Sequence, residues 1–236
     1  ASPWTNRDFD IFADLNDYSA TVVGFVRDSQ NLNVSWDTAP SLYEPVDAGN
    51  QRRDFRGVLY ENILYVGKDG LGLSAYANTP TNNNHYVELE SRLELNSAGS
   101  GLSLKDDIEA RTQSDIHTQL AAKQGAASGV VTSRAGARAF LIAGTNRAAF
   151  RFTMLNHLCL DMEQVHDVTR IPDRIRQDVS RSPGGDSRIF MNNCIGCHSG
   201  MDPMTQALAF HNYNYNVEAD PTGEDGSVEY TLNSVQ

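Results

Sequence analysis

The sequence predicts a mainly α-helical fold with long loops and a few short strands, and three observations predict it. Apolar residues recur at helical spacing in the second half, where Phe150, Met154 and Leu158 share a face with Phe152, Leu155, Cys159 and Met162 beside them. Tracts rich in Asn, Asp, Pro, Gln and Gly separate such stretches. Cys194-Ile195-Gly196-Cys197-His198 places two thiols three positions apart, on one helical turn, with an imidazole directly after the second.

Along the chain, Arg7 to about Asp28 carries Phe9, Phe12, Ala13, Tyr18, Val22, Phe25 and Val26 at mixed helical spacings, which predicts a helix and its continuation. Residues 29–56, with Trp36, Leu42 and Tyr43 as isolated anchors, read as a long packed loop. Val58-Leu59-Tyr60 and Ile63-Leu64-Tyr65-Val66 read as short strands or one buried helix. The turn from Gly67 to Gly72 that follows lacks the Gly-Lys-Ser/Thr of a phosphate loop. From Tyr86 to Leu95 a strand-like alternation competes with a helical stripe of Tyr86, Leu89 and Leu93.

Ser103 and Asp106 resemble a capping box and predict a helix to near Gly125, with Ile108, Ile116 and Leu120 on one face. A small-residue connector, Ala126 to Thr132, leads to two helices, Ala135 to Ala143 and Thr145 to about Met162, divided by Gly144. Pro172 and Ser182-Pro183-Gly184-Gly185 then break the chain before the cysteines. The expected division is an amino-terminal region, 1–125, and a region 126–236 that carries the pentad, the two also being readable as one continuous domain.

Composition narrows the function classes. At 236 residues, 40% hydrophobic and 21% charged, the chain can bury a proper core without disulfide staples. No run of 18 apolar residues is present, so no membrane-spanning segment is expected. Thirty acidic residues against 19 basic ones, a formal charge of -11, disfavour a nucleic-acid partner and favour a basic protein partner.

A Cys-x-x-Cys-His pentad is what covalent attachment of a c-type haem requires: two thiols to add to two vinyl groups, and an imidazole for the iron. A zinc site needs a second ligand pair, yet the third cysteine, Cys159, has only His157 and His166 near it, without a C-x-x-C or H-x-x-x-H partner. A redox dithiol is expected where a buried strand enters a helix, and Met191-Asn192-Asn193 is not apolar. The expectation is therefore a cytochrome c-like helical module with one covalent haem c, anchored by Cys194 and Cys197, with His198 as proximal iron ligand. Candidates for the distal ligand are Met154, His157, Met162 and His166, and the sequence does not choose among them. Met201 and Met204 follow His198 too soon to reach the other face and are expected to pack at the haem edge. Arg170, Arg174, Arg176, Arg181 and Arg188 offer propionate partners, although most are expected to pair with nearby acids. Cys159, left without an intrachain partner, reads as a buried, inert thiol.

The residues after the pentad, Ser199-Gly200-Met201-Asp202-Pro203-Met204 and Ala207-Leu208-Ala209-Phe210, resemble the haem segment of a group of uncharacterised exported bacterial cytochrome c-like proteins. Upstream, Gly129-Val130-Val131-Thr132, Asn146-Arg147 and Leu158-Cys159 are similar to that group as well. Thr205 stands where the group commonly has Gly, and His211-Asn212-Tyr213 replaces a more usual Phe-Asp. The resemblance implies a mostly helical protein with covalent haem, often one module of a longer polypeptide. Haem c is attached outside the cytoplasm, so a periplasmic or extracellular, cell-surface location in a bacterium is expected, with a signal peptide removed. The expected function is one-electron transfer with a redox partner protein. The alternatives are a haem enzyme of peroxide or oxidative chemistry with an open iron, and a haem-bearing subunit that meets other subunits of a larger assembly.

Overall fold

In a computed structural model, residues 14–30, 62–93, 101–123, 126–142 and 146–232 are described. Phe9, Phe12 and Ala13, residues 31–56, Val58-Leu59-Tyr60, Leu95, Gly125 and the Gly144-Thr145 boundary lie outside them. The chain divides into two compact units, Ala1–Ala139 with Tyr213–Tyr230, and Phe140–Asn212 with Thr231–Gln236.

The first unit is built around helix α1 (Asp17–Gln30) and strand β1 (Ile63–Gly67). Asn16 and Ser19 cap α1 reciprocally, Ser19 N donating to Asn16 Oδ1 at 2.9 Å and Asn16 N to Ser19 Oγ at 3.0 Å. All five residues of β1 are buried. Gly24 lets α1 lie on β1, since a Cβ there would collide with the Tyr65 ring, and Phe25 meets that ring edge-on at 5.1 Å between centroids. Helix α2 (Asn84–Ser91) packs on β1 through Tyr86, whose hydroxyl donates to Tyr65 O at 2.9 Å. The helical stripe thus decides the Tyr86 segment, with Tyr86 and Leu89 fully buried.

Strand β2 (Ile108–Thr112) runs antiparallel to β1, from Ile63 opposite Thr112 to Gly67 opposite Ile108. This corrects the single helix expected from Ser103 to Gly125. Ser103 and Asp107 close a turn instead, Ser103 N donating to Asp107 Oδ2 at 2.6 Å, and the backbone of buried β1 takes Ile108–Thr112 as its hydrogen-bonding partner. Only two short helices follow, α3 (Gln113–Ile116) and α4 (Thr118–Ala121). Helix α5 (Arg134–Phe140) starts on the buried carboxylate of Asp17, which accepts from the amides of Arg134 and Ala135.

In the second unit, helix α6 (Arg147–Phe152) runs into one π-helical turn, Thr153–His157, and stops; Cys159 then has φ 54°. The helix expected through Met162 is thus cut short, and Cys159 is exposed rather than buried because it lies past the helix end. A short helix α7 (Ser187–Ile189) and a second π-helical turn, Phe190–Cys194, lead into helix α8 (Ile195–Thr205). Phe190 and Ile195 form a small core with Ile175, against which Val179 and Cys194 pack. Back in the first unit, Tyr213 and Val228 are buried in a second two-stranded sheet, formed by strands β3 (His211–Asn214) and β4 (Ser227–Tyr230).

The expected mainly α, cytochrome c-like helical module is corrected by these elements. Among the described residues the first unit has a buried strand at its centre, two small sheets are present, and helices outside α1, α2 and α8 are no more than about two turns long. The physical reason is segmentation: turns and π-helical breaks end the apolar stripes before they reach three turns, and β1 needs a strand partner for its backbone groups.

Candidate functional site

Helix α8 carries the pentad. Cys194, the last residue of the π-helical turn, sits at its amino-terminal cap, and Cys197, His198 and Met201 fall within roughly 100° of arc on α8. All four are half-buried, a partly open stripe flanked by the buried Ile195, Gly196, Ser199, Asp202 and Thr205. Both pentad thiols are free. The Cys197 thiol is pushed up by burial and then by the nearby carboxylates of Glu163 and Asp161. Among the described residues no group of three or more His, Cys, Asp or Glu is arranged to hold a metal ion.

Of Cys194, Cys197, His198 and Met201, Cys197 alone reaches a cavity of about 550 Å³, which Gly196, Ser199, Gly200, Pro203 and Met204 of α8 also line and which lies on the helix face away from His198; its volume is within the range of about 300–1,000 Å³ common to small-molecule sites. Its lining includes Cys197, Met154, Met162, Met204, Phe150 and Ile171. Of the expected distal ligands, Met154 and Met162 therefore line the cavity. His166 lies against the pentad itself, its ring occupying the space a Cβ on Gly196 would need. His157 stands edge-on to Phe152 at 5.3 Å, and burial lowers its imidazole pKa. Met204 lines the cavity and is 57% exposed, whereas Met201 is half-buried on the stripe.

Apolar surface is left uncovered around the cavity. Val165 and Ile171 line it and are 44% and 74% exposed. Among the arginines, Arg170, Arg176 and Arg188 pair with Asp167, Asp178 and Asp186, and Arg181 donates to the carbonyls of Ile175, Arg176 and Val179 and stacks on Phe190. Arg174 lines the cavity.

The sequence reasoning did not single out the role of Asp202. Its carboxylate is fully buried and accepts from His198 Nδ1 at 3.0 Å, from Arg147 Nε at 2.9 Å and Nη2 at 3.2 Å, and from the Arg176 amide at 3.0 Å. Burial alone would raise its pKa; the hydrogen bonds from His198, Arg147 and Arg176 outweigh that and bring it to about 2. Arg147 also grips Asp178 through two hydrogen bonds of 2.6 and 2.8 Å, which hold the Asp178 carboxyl below its usual range. The i, i+4 spacing of His198 and Asp202 was the signal in the sequence.

No helix among the described residues is long and apolar enough to cross a membrane. Compared with protein-family models, with curated proteins and with solved structures, the chain matches none.

Proposed function

We propose that the second unit binds one haem c covalently and serves one-electron transfer outside the cytoplasm of a bacterium. The observation that carries this reading is the pentad itself: two free thiols and an imidazole half-buried on one stripe of α8, with Cys197 also lining the cavity. Cys194 and Cys197 would hold the group, and His198 would present a nitrogen to its iron. Bound there, the haem would supply a one-electron redox couple.

The protein's own part is to bind, orient and dry. The Cys194 side chain packs on the Ile175, Phe190 and Ile195 core, which fixes one anchor. Phe150, Met154, Met162 and Met204 supply apolar lining that keeps water from one wall, and Val165 and Ile171 gain a covering. Arg170 and Arg174 both line the cavity and would be the arginines to meet a propionate. The acidic surface favours a basic redox partner, with on-rates that fall as salt rises.

Optical spectra test this reading, recorded oxidised and reduced on protein from an export-competent, haem-c-maturing host, before and after carbon monoxide. A Soret band that survives denaturation, with a reduced low-spin spectrum indifferent to carbon monoxide, is expected of a six-coordinate electron carrier. Absence of such a band would sink the haem reading. A high-spin spectrum that shifts with carbon monoxide would replace electron transfer by enzyme chemistry at an open iron.

A further inference from the structure

His198 has one ring nitrogen committed and one not. Nδ1 meets Asp202, and Nε2 has no hydrogen-bond partner among the described residues. Asp202 is in turn surrounded by donors that cannot accept: Arg147 Nε and Nη2, and the Arg176 amide. A carboxylate in that setting accepts from a fourth group as well, so His198 Nδ1 carries a proton and donates it in the hydrogen bond. In the neutral ring the free electron pair then lies on Nε2.

We propose that Asp202 is the positioning residue of the haem site. It fixes His198 as the Nδ1–H tautomer, holds the ring in one orientation on α8, and leaves Nε2 as the iron-binding atom. Arg147, anchored on Asp178, braces Asp202 from the other side. This inference rests on the haem reading above and adds the group that tunes it. A carboxylate bonded to the far side of an iron-bound imidazole makes that imidazole a stronger donor, which stabilises the oxidised iron and lowers the reduction potential.

A merely structural Asp202 would stitch α8 to α6 and to the segment around Arg176 without caring which His198 nitrogen bears hydrogen. Two readouts separate the roles. In the cofactor-free chain, nitrogen–hydrogen NMR correlation at a pH above the imidazole range gives the tautomer of His198 with no substitution needed. The expected result is a protonated Nδ1 and a bare Nε2; a protonated Nε2 would overturn the proposal. In the haem-loaded protein, Asp202→Asn is expected to raise the midpoint potential and Asp202→Glu to restore it towards the original value. An Asp202→Asn protein with bound haem and an unchanged potential would also overturn it. Should Asp202→Asn fail to fold, Arg147→Gln serves instead, with the Nδ1–H tautomer retained and the potential moved less. An Nδ1–H tautomer in a chain that never acquires haem would remove the haem reading and leave the tautomer assignment standing.

Discussion

His85 in the first unit and His198 in the second both present Nδ1 to an acceptor, and they differ in what meets the other nitrogen. His85 Nδ1 lies 2.7 Å from the Ser74 carbonyl, while its Nε2 accepts the Gly67 amide at 2.9 Å. Its ring is buried, and burial lowers its pKa. Every polar atom of that side chain is used to close α2 onto the end of β1, so it is a structural histidine. His198 spends Nδ1 on Asp202 and leaves Nε2 uncommitted among the described residues, in the same pentad as two free thiols. The first unit thus spends both nitrogens of His85 on its own packing, whereas under the proposed haem reading His198 keeps one nitrogen to offer.

The strongest way to break that contrast is to remove the receiving groups. Cys194→Ser with Cys197→Ser is expected to abolish haem that stays with the chain on a denaturing gel, while circular dichroism of the cofactor-free protein is unchanged. Retention of covalent haem would show that attachment lies elsewhere. His85→Ala should do the opposite. Losing both hydrogen bonds of a buried ring is expected to cost about 2–4 kcal/mol in urea unfolding and to leave the haem spectrum alone. A spectrum that changed with His85 would mean that it is not merely structural.

A smaller effect sharpens the second unit. Gly196→Ala drives a Cβ into the His166 ring and is expected to cost about 1–3 kcal/mol. Adding His166→Ala should recover most of that loss; if it does not, the close approach of His166 to the pentad is wrong. The smallest effect expected is one of pH. His85 has a native pKa below 6.5, so the unfolded chain takes up the proton first as pH falls. Stability should be level above the imidazole range and decline as pH drops through about 6.5, with a slope of at most about 1.4 kcal/mol per unit from this group. His85→Ala should flatten that part of the profile, and an unchanged profile would contradict the assignment.

Much of the candidate site could be read in the sequence because its chemistry is local. The pentad occupies five consecutive residues, and Asp202 lies one helical turn from His198. Arg147 could not be given its role that way, since the ion pair with Asp202 is made across the packing of α6 on α8. The same distinction governs the fold. Capped α1 follows from neighbours in sequence, whereas the Tyr86 segment, readable as strand or helix, is decided by packing on β1, and β2 exists because β1, far away in the chain, needs a partner for its backbone. The early end of α6 at a π-helical turn and the left-handed φ of Cys159 carry no glycine or proline to announce them.

The most direct measurement is mass spectrometry of the peptide spanning Cys194 to His198, from protein produced in a haem-c-maturing host beside a control c-type cytochrome. That peptide is expected to carry the mass of one haem, lost in the double cysteine variant. An unmodified peptide with two free thiols, while the control is fully matured, would contradict it.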